Sequence, residues 1–475
     1  MSFPLSDIYN RAVMFGEYPD IYKLEIVTPV TKSYPTQSTK QLRKISGTKN
    51  CSKIFELFLS EIMTEDMEIS RDRSQYGNSK GLSTEHYLIN MIHRIMSVLE
   101  KNNQKEKYAV IVQLVDWAQA FDRQCPQLGI QSFIKNGVRS SIIPVLVSYF
   151  QDRRMIVKWR NKLSTVRNLP GGGPQGSRIG SIEYDSQSND NTEFLSQDDK
   201  YKFVDDLSVL EIINLITVGL TSYNFKQHVA SDIGVEQLFL PAQNIQSQDH
   251  MNTICDWTND RKMKINEDKC NVMVFNETES LFATRIHANE TLIETITDTK
   301  LLGTIVSTDL TWHKNTQYLT KKGYVRMTIL RKLYEYDIPQ EDLVQIYCLY
   351  IRSIVEYNSN IWFSSITQEE SEDLERVQRC ATRIILKHEY TTYEEALQKL
   401  KLQKLSERRV EQATSFAQKC TKHSRMKDMF PLNDKSNQNL RNIEKYEVKF
   451  ARTARLFNTS IPAMQRLLNR LEDQN

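Results

Sequence analysis

Apolar positions between residues 83 and 115 change from a helical to an extended spacing. From Ser83 to Glu100 they recur every three or four residues, which predicts one amphipathic helix with an apolar face formed by Leu88, Met91, Ile92, Ile95, Met96 and Leu99. Residues 109–115 then form a nearly unbroken apolar run rich in Val, which is typical of a buried strand. The strand ends at Asp116, and for an isolated aspartate a helix cap or a turn is the simplest interpretation.

A second apolar stretch, residues 201–210, carries the adjacent carboxylates Asp205 and Asp206 between two short apolar runs. This arrangement predicts a strand–turn–strand hairpin. Tight hairpin turns favour Asn-Gly or Asp-Gly rather than two anions. The pair therefore needs a compensating partner, and a divalent cation would supply it. The pair Asp198 and Asp199 lies in a polar run instead, which predicts only solvated loop carboxylates.

After the hairpin the periodicity becomes mainly helical. We expect residues 209–216 to lead from the second strand toward a helix, and residues 221–250 to form loop with a short helix. From about Trp312 the period is helical almost throughout, as in a helical bundle. Two apolar stripes are predicted to face its core: Leu343, Ile346, Tyr347, Tyr350, Ile354 and Tyr357 in the first, and Leu374, Val377, Ala381, Ile384 and Ile385 in the second.

The composition is that of a folded protein with more than one domain. The chain has 475 residues, of which 40% are hydrophobic and 25% charged. It has neither a run long enough to span a bilayer nor the features of a signal peptide. Its seven cysteines show no close pairing, so we expect a reducing intracellular compartment rather than secretion. Cys420 and His423 have no second pair at zinc-site spacing, which argues against zinc.

Positive charge is concentrated at the C-terminus. The net charge is only +3, yet residues 401–475 contain 16 Lys and Arg against 8 Asp and Glu. This excess includes Lys401, Lys404, Arg408, Arg409, Lys422, Arg425 and Lys427. Such a segment can neutralise nucleic-acid phosphates or can be an ordinary solvated helix surface, and the sequence leaves both interpretations open.

A glycine-rich segment at residues 169–177 can bring the backbone close to a ligand. It lacks the Gly-Lys-Ser/Thr ending of a phosphate-binding P-loop, so hydrolysis of ATP or GTP is not indicated.

Taken in order, these segments resemble the palm motifs of reverse transcriptases from non-LTR retrotransposons. The family pattern of Asp, four residues and Phe-Asp matches Asp116, Phe121 and Asp122. Its Gly-x-Pro-Gln-Gly-Ser motif and its aromatic-x-Asp-Asp box match residues 172–177 and 203–206, with Val204 where the family more often has Ala. Further similar segments are residues 16–30, 43–56, 75–84, the Asn-x-x-Lys motif at 266–269 and the primer-grip turn at 300–303.

The resemblance implies an α+β right-hand polymerase fold. Its fingers and antiparallel palm would occupy residues 1–306, as the reverse transcriptase domain. A helical thumb and an α-helical, basic C-terminal region would occupy residues 307–475.

The resemblance also implies an RNA-directed DNA polymerase that uses an RNA template, a DNA primer and dNTPs. Two Mg²⁺ ions, or Mn²⁺ in their place, would stabilise the attacking and leaving oxygens of nucleotidyl transfer. A strand ending at Asp116 beside a hairpin tipped by Asp205 and Asp206 would present carboxylates to one point. By resemblance, Asp116 and Asp205 bridge the metals and Asp206 is the supporting acid.

Roles for other residues follow from the same resemblance. The ring of Phe121 would lie under the sugar and reject a 2′-hydroxyl, and Gln175 would touch the template base and the nucleotide. Arg43 and Lys32 would contact the triphosphate, although Lys32 can equally be a solvated lysine. Lys269 would protonate the leaving pyrophosphate.

Two departures from the family matter. The stretch after Ser177 is polar, so the helix expected to support Gln175 is predicted to be truncated. The match also begins close to Met1, without a preceding endonuclease region, so priming would need an existing 3′ end or a partner nuclease. The alternative function is therefore a decayed or repurposed copy that binds nucleic acid without polymerising.

Overall fold

The computed structural model describes residues 2–32, 34–103, 106–169, 171–215, 246–275, 285–433, 444–448 and 450–472. The helices of the first 260 residues are α1 (Ser2–Phe15), α2 (Asn50–Met67), α3 (Thr84–Leu99), α4 (Pro126–Lys135), α5 (Ile143–Phe150), α6 (Arg178–Gln187) and α7 (Ser247–Asp260). Those that follow are α8 (His313–Glu335), α9 (Gln340–Ile346), α10 (Ser353–Val355), α11 (Ser359–Trp362), α12 (Gln368–Leu386), α13 (Tyr393–Leu400), α14 (Leu405–Lys422), α15 (Ala454–Phe457) and α16 (Ser460–Glu472).

The strands lie between these helices. They are β1 (Leu24–Thr31), β2 (Leu42–Gly47), β3 (Tyr108–Val115), β4 (Arg154–Trp159), β5 (Lys162–Leu163), β6 (Arg167–Asn168), β7 (Lys200–Phe203), β8 (Asp206–Asn214), β9 (Asn271–Phe275), β10 (His287–Ala288), β11 (Thr291–Leu292), β12 (Glu294–Thr295), β13 (Asp298–Leu301) and β14 (Thr304–Ser307).

The central sheet has the order β12-β9-β3-β8-β7. Its pairs are antiparallel except β12 with β9, and β3 lies in the middle. Residues 109–112 of β3 are at most 1% exposed, because helices cover one face and the apolar segment around α7 covers the other. The nearly continuous apolar run of this strand follows from burial on both faces.

The outer sheet is formed by β2, β1, β4, β5 and β6. In it β1 pairs antiparallel with β2 and parallel with β4, and β4 continues into a short hairpin with β5. Helices α2, α4, α5 and α6 pack together beside it around an aromatic core that includes Phe55, Phe133 and Tyr149. This unit holds the glycine-rich segment in place.

The C-terminal region, residues 313–472, is helical in its described part and shares a core with the central sheet. One apolar cluster joins Ile95 of α3 and Val110 of β3 to Tyr347, Leu374 and Met464. Hydrophobic packing therefore crosses the expected domain boundary at residues 306 and 307. Among the helices placed by the structure, none combines the length and apolarity that a bilayer crossing requires.

Most of the predicted elements are confirmed. Helix α3 begins after Ser83, whose hydroxyl and backbone take part in a capping box with His86. The hairpin is β7–β8, and its turn consists of Val204 and Asp205. The expected α+β class, the antiparallel sheet and the helical C-terminal region are all present.

One predicted element leads out of the described residues, and another is wrong. Strand β8 continues to Asn214, because residues 207–214 pair along the whole length of β3, and the helix expected after it lies outside the described residues. The predicted stripe through Tyr350 and Tyr357 is displaced, since residues 347–352 are a π-helix. The wider turn changes which side chains face the core, so Ile351 and Val355 are buried while both tyrosines are 40% exposed. Residues 216–245, most of the expected loop, lie outside the described residues.

The truncated helix predicted after Ser177 is a second correction. Helix α6 is a regular ten-residue helix, and the Ser177 hydroxyl caps it by accepting the Gly180 N–H at 2.9 Å. Its polar side chains are buried rather than solvated, with Glu183 and Gln187 hydrogen-bonded to each other at 3.0 Å. Asp185 pairs with Arg71 at 3.0 Å. Polarity in this stretch therefore reflects an internal hydrogen-bond network, not a missing helix.

Candidate active site

The register of the central sheet brings the three predicted aspartates together. Val115 pairs with Leu207, so Asp116 follows β3 next to Asp206 at the start of β8. Across the hairpin, Asp206 pairs with Phe203, which places Asp205 in the two-residue turn beside them. All three side chains are half-buried.

The negative charges of neighbouring aspartates affect the pKa values of Asp205 and Asp206. Burial first, and then Asp205 and Asp116, raise the pKa of Asp206 to about 6. Burial also raises the pKa of Asp205, and the charge of Asp116 adds to that effect. Arg43 and Lys269 act in the opposite direction on Asp205. Carboxylates this close disfavour full ionisation, so the site favours a cationic ligand.

The turn that carries Asp205 has an unusual backbone. Val204 has φ +57°, a left-handed conformation that costs a β-branched residue on the order of 1–3 kcal/mol. The main-chain N–H of Val204 donates to Oε1 of Gln75 at 2.9 Å, and Nε2 of Gln75 donates back to the Val204 carbonyl at 3.4 Å. Surrounding structure therefore imposes the shape of this turn.

The segment that follows α7 holds Asp116. The Asn266 side-chain amide donates to Oδ2 of Asp116 at 3.0 Å, and Nζ of Lys269 lies 3.4 Å from the same oxygen. Cys270 Sγ accepts the Asp116 N–H at 3.5 Å, and burial raises the pKa of this thiol to about 12. The structure thus brings Lys269 to Asp116, and its expected role in protonating pyrophosphate stays a prediction.

The predicted nucleotide-binding residues lie on two neighbouring segments. The ring of Phe121 is half-buried and stacks on Tyr184 of α6, with centroids 5.4 Å apart. The Phe121 carbonyl accepts the Gly173 N–H at 2.8 Å. Gln175 is half-buried, and its carbonyl accepts the Ser46 N–H of β2 at 2.8 Å. The glycine-rich segment therefore connects the outer sheet to the aspartates.

Glycine is required where this segment approaches Asp122. Gly172 has φ +84°, and a Cβ there would lie 3.0 Å from the Asp122 carbonyl oxygen. A Cβ at Gly173 would lie 1.9 Å from Oε1 of Gln124. These glycines allow a close backbone approach to the segment that follows Asp116, and the approach to a ligand expected from the sequence stays a prediction.

The two cations expected at the triphosphate differ in position. Arg43 is exposed on β2 and is close enough to act on Asp205 electrostatically. Lys32 lies just beyond β1 and is also exposed, but the contacts of the described residues do not bring its side chain to the aspartates. Lys44, which sequence analysis did not single out, pairs with Asp122 at 3.3 Å.

The donor chemistry of the site fits magnesium, which prefers carboxylate oxygens. Within the residues that the structure places, no three His, Cys, Asp or Glu side chains are already arranged to hold a metal ion. The aspartates are neighbours rather than a finished coordination sphere, because Oδ2 of Asp116 is engaged by Asn266 and Lys269. Metal binding would require Asp116 to release the Lys269 ammonium, while a carboxylate oxygen has lone pairs enough to keep the Asn266 hydrogen bond.

The basic tail, residues 401–475, has fewer side chains free to bind nucleic acid than its charge suggests. Arg408 forms two hydrogen bonds with Glu356, at 2.7 and 3.2 Å. Arg409 is 3% exposed and donates to the Ser371 hydroxyl. Arg425 donates to backbone carbonyls. These three arginines support the fold, which neither interpretation of the tail included.

Unpaired basic side chains lie elsewhere, on the β4–β5 hairpin and the strand after it. Residues 158–168 are all exposed, and they include four basic and no acidic residues together with Trp159. Ion pairs with Lys158, Arg160, Lys162 and Arg167 are absent from the part of the chain that the structure describes. This basic hairpin, residues 158–168, has the charge and the aromatic surface that single-stranded nucleic acids bind.

Sequence analysis missed the supporting roles of Gln75 and Tyr184. Gln75 belongs to a segment similar to the family, yet its contact with Val204 spans 129 residues and has no local signal. Tyr184 lies in the polar stretch that we expected to be truncated. The contact between Asn266 and Asp116 has a clearer signal in the sequence, since Asn266 begins the Asn-x-x-Lys motif.

Comparison with known proteins agrees with these motifs. No protein-family model matches the chain. It is 27% identical over 336 residues to the probable RNA-directed DNA polymerase from transposon BS of Drosophila melanogaster, which is 69% of this chain and 34% of that protein. It is also 27% identical over 186 residues to the probable RNA-directed DNA polymerase from transposon X-element of the same organism, which is 38% of this chain and 20% of that protein. The predicted resemblance to transposon reverse transcriptases is confirmed, and the chain spans about a third of its relatives or less.

Solved telomerase structures are also similar. The telomerase of Candida albicans in complex with a TWJ fragment of telomeric RNA matches 84% of this chain and 68% of its own, with 13% identity and a TM-score of 0.38. The apo telomerase of Candida tropicalis matches 87% and 65%, with 11% identity and a TM-score of 0.43. Likeness at this level carries no argument about the function of the chain.

Proposed function

We propose that this chain is an RNA-directed DNA polymerase that extends a DNA primer along an RNA template. The observation that carries the proposal is the meeting of Asp116, Asp205 and Asp206 at one edge of the central sheet, in a chain related to transposon polymerases. Acidic groups that converge from neighbouring strands can hold the two metal ions that stabilise the attacking and leaving oxygens of nucleotidyl transfer.

Asp116, Asp205 and Asp206 would hold two Mg²⁺ ions, or Mn²⁺ in their place, and these would stabilise charge on the attacking and leaving oxygens. The chain itself would supply the orientation of the carboxylates through the β3–β8 pairing. When a metal occupies the site, Lys269 would be released from Asp116, and its ammonium could then protonate the departing pyrophosphate. Its side chain is 66% exposed, which allows this movement.

The incoming dNTP would lie between Arg43 and the aspartates. Support comes from the charge of Arg43, which acts on Asp205 across this space. Arg43 lies on the same face of the outer sheet as the half-exposed Ile26, Val30 and Ile45. Phe121 would exclude a 2′-hydroxyl, because Tyr184 backs its ring and limits how far it can move. Gln175 would meet the template base from the glycine-rich segment, and Lys32 would assist the triphosphate only after a conformational change.

The RNA template would reach the site across the outer sheet. Lys158 of β4 is on the same face as Ile26, because Ile26 pairs with Ile156 and alternate residues of a strand share a face. The basic hairpin therefore continues the surface on which Arg43 lies. RNA phosphates would contact Lys158 on this face. Trp159 and its cross-strand partner Lys162 lie on the opposite face of the hairpin, where a base could stack on the Trp159 ring.

The direct test is primer extension with purified protein. A labelled DNA primer annealed to RNA should be elongated in the presence of dNTPs and Mg²⁺, and chelation of the metal should stop elongation. The same primer on a DNA template measures template preference. Tight binding of the RNA–primer hybrid without elongation, with either metal, would instead establish the alternative of a non-catalytic nucleic-acid-binding protein.

A further inference from the structure

The segment Ser74–Gly77 shapes the turn that carries Asp205. It runs beside β7, where the Lys202 N–H donates to the Ser74 carbonyl at 2.9 Å and the Tyr76 N–H donates to the Lys202 carbonyl at 2.8 Å. Oε1 of Gln75 accepts the N–H groups of both Gly77 and Val204, at 3.0 and 2.9 Å. One side-chain oxygen thus fixes this segment and the turn relative to each other.

Close packing leaves the turn little freedom. A Cβ at Gly77 would lie 2.4 Å from the Val204 nitrogen, so only glycine allows the two backbones to approach this far. Val204 holds a positive φ that its branched side chain disfavours. Gln75 therefore supports a strained conformation of the residue next to Asp205.

Arg425, from the C-terminal region, holds the same segment from the other side. Both of its terminal nitrogens donate to the Gln75 carbonyl at 3.1 Å, and one of them also lies 3.3 Å from the Ser79 hydroxyl. It further donates to the Arg73 carbonyl, and its guanidinium lies 5.4 Å from the centre of the Tyr76 ring. A planar group with several fixed donors is needed to reach these acceptors together, and lysine does not offer one.

Further contacts join the residues around Arg425 to the residues around Gln75. His423 Nε2 lies 3.2 Å from the Lys80 carbonyl, and His423 Nδ1 accepts the Arg425 N–H at 3.2 Å. Asn90 of α3 donates to the Tyr76 hydroxyl at 2.7 Å and contacts the sulfur of Met426 at 3.5 Å. The residues that follow α14 are therefore fixed to the segment that fixes the turn.

We propose that Arg425 is a positioning residue for Asp205: it holds Gln75, and Gln75 holds the Val204 turn. The inference rests on the proposed polymerase function. It assigns to the C-terminal region an effect on the catalytic turn that does not involve contact with nucleic acid.

The experiment compares Arg425→Ala with Arg452→Ala. Arg452 is the matched control, because it also comes from the C-terminal region and donates to backbone carbonyls, those of Glu100 and Asn102, away from the turn. Arg425→Ala should lower kcat by about 10- to 100-fold, as small displacements of catalytic groups do. The KM for dNTP and the affinity for the RNA–primer hybrid should change less than about twofold, since no binding group is removed. Arg452→Ala should leave kcat unchanged.

Two further variants test whether Arg425 acts on the turn through Gln75. Arg425→Lys keeps the charge without the fork, so it should recover only part of the rate. Gln75→Ala should lower kcat to a similar extent, and combining it with Arg425→Ala should cost little more than either change alone. Full recovery by lysine, or a loss of RNA affinity at unchanged kcat, would show that Arg425 acts as a phosphate contact and overturn the proposal.

Hydrogen exchange separates this inference from the proposed function. In Arg425→Ala, the amides of residues 201–206 should exchange faster than in the unsubstituted protein and in Arg452→Ala. This measurement needs no activity, so it decides the inference even if the chain does not polymerise. Unchanged exchange in residues 201–206 would overturn the inference. Peptides from α5, which lies away from the junction, serve as the control: their exchange rate should stay the same, which excludes a general loss of stability.

Discussion

Asn266 holds Asp116 through both its main chain and its side chain. Its backbone N–H donates to the Asp116 carbonyl at 2.8 Å, and its side-chain amide donates to Oδ2 of the same residue at 3.0 Å. The end of β3 and the orientation of its carboxylate are therefore set together by the first residue of the Asn-x-x-Lys motif.

Asn266→Ala should slow primer extension by about tenfold, because Asp116 loses the donor that orients it. The fold should persist, since the backbone hydrogen bond remains. Extension rates are to be compared with those of Asn271→Ala, whose amide reaches only the Lys269 carbonyl at 2.9 Å. Equal rates for both variants would remove Asn266 from the catalytic machinery.

Asp205→Ala should abolish extension without destabilising the protein. Burial and the nearby Asp116 raise the pKa of Asp205, so ionised Asp205 is held against repulsion and its removal relieves that repulsion. The melting temperature should therefore stay the same or rise. Asp198→Ala, which changes the exposed member of the other Asp–Asp pair, should behave like the unsubstituted protein in both assays. Normal extension by Asp205→Ala would contradict a metal-binding role.

Phe121→Val should raise incorporation of ribonucleotides relative to deoxyribonucleotides. The smaller side chain opens space above Tyr184, where a 2′-hydroxyl would otherwise meet the ring. The measurement is the ratio of kcat/KM for rNTP and dNTP on one RNA template. A fixed ratio in an active variant would make Phe121 an ordinary packing residue.

Neutralising the basic hairpin should weaken RNA binding more than neutralising the tail. The triple change Lys158→Gln, Arg160→Gln and Lys162→Gln removes three exposed and unpaired charges. The slope of log K against log salt concentration should therefore become shallower by roughly 0.7 for each phosphate that is no longer neutralised. Its counterpart changes three lysines of the tail to glutamine, namely Lys419, Lys422 and Lys427. A larger effect of the tail variant would restore the tail as the main phosphate-binding surface.

Deletion of residues 401–475 would not answer the same question. It would remove Arg409, together with Ala413, Ala417 and Cys420 of α14, which are buried in the main core. A truncated chain would lose affinity by unfolding as well as by losing charge, so substitution is the informative experiment.

Stability should fall as pH rises from about 4.5 to 8, in part through Glu183. Burial raises the pKa of its carboxyl to about 8, whereas an unfolded glutamate has an ordinary pKa near 4.3. The folded state keeps the proton across this interval and the unfolded state releases it, so this stabilising contribution is complete below the unfolded pKa and lost as pH passes the folded one. Urea unfolding of Glu183→Gln at several pH values should show a shallower decline, and exposed Glu61→Gln should not. An unchanged decline in Glu183→Gln would show that Glu183 ionises normally in the fold.

The sequence allowed the central hairpin, the strand before Asp116 and helix α3 to be predicted because each has a complete local signal. Two carboxylates between apolar runs, an apolar run of strand length and a capped 3.6-residue period all act over a few positions. These elements alone do not show that the three aspartates meet, because strand order and register depend on contacts between distant segments. Only the resemblance to the family indicated that they do. The role of Gln75 depends on such a contact and could not be inferred.

The errors have equally physical causes. Polar residues in α6 suggest a truncated helix when only the local sequence is considered, but Arg71, Asn136 and Gln187 satisfy them inside the protein. The stripe beyond Tyr347 was displaced because one π-helical segment changes the period, and periodicity cannot show where such a segment lies. The number of basic residues in the tail overstates its free charge, because Arg408 pairs with Glu356 and Arg409 is buried and donates to the Ser371 hydroxyl.

The core that joins α3 and β3 to α8, α12 and α14 has a consequence for how related chains can be recombined. A chimera joined at residue 306 would place one parent's Ile95 and Val110 against the other parent's Tyr347 and Leu374, and mismatched volumes in a core are poorly tolerated. Exchange of the C-terminal region between related chains should therefore succeed only when α3 and the face of β3 that it covers are exchanged with it. The part of this fold that has to be exchanged together is the shared core, which is formed by segments that are far apart in the sequence.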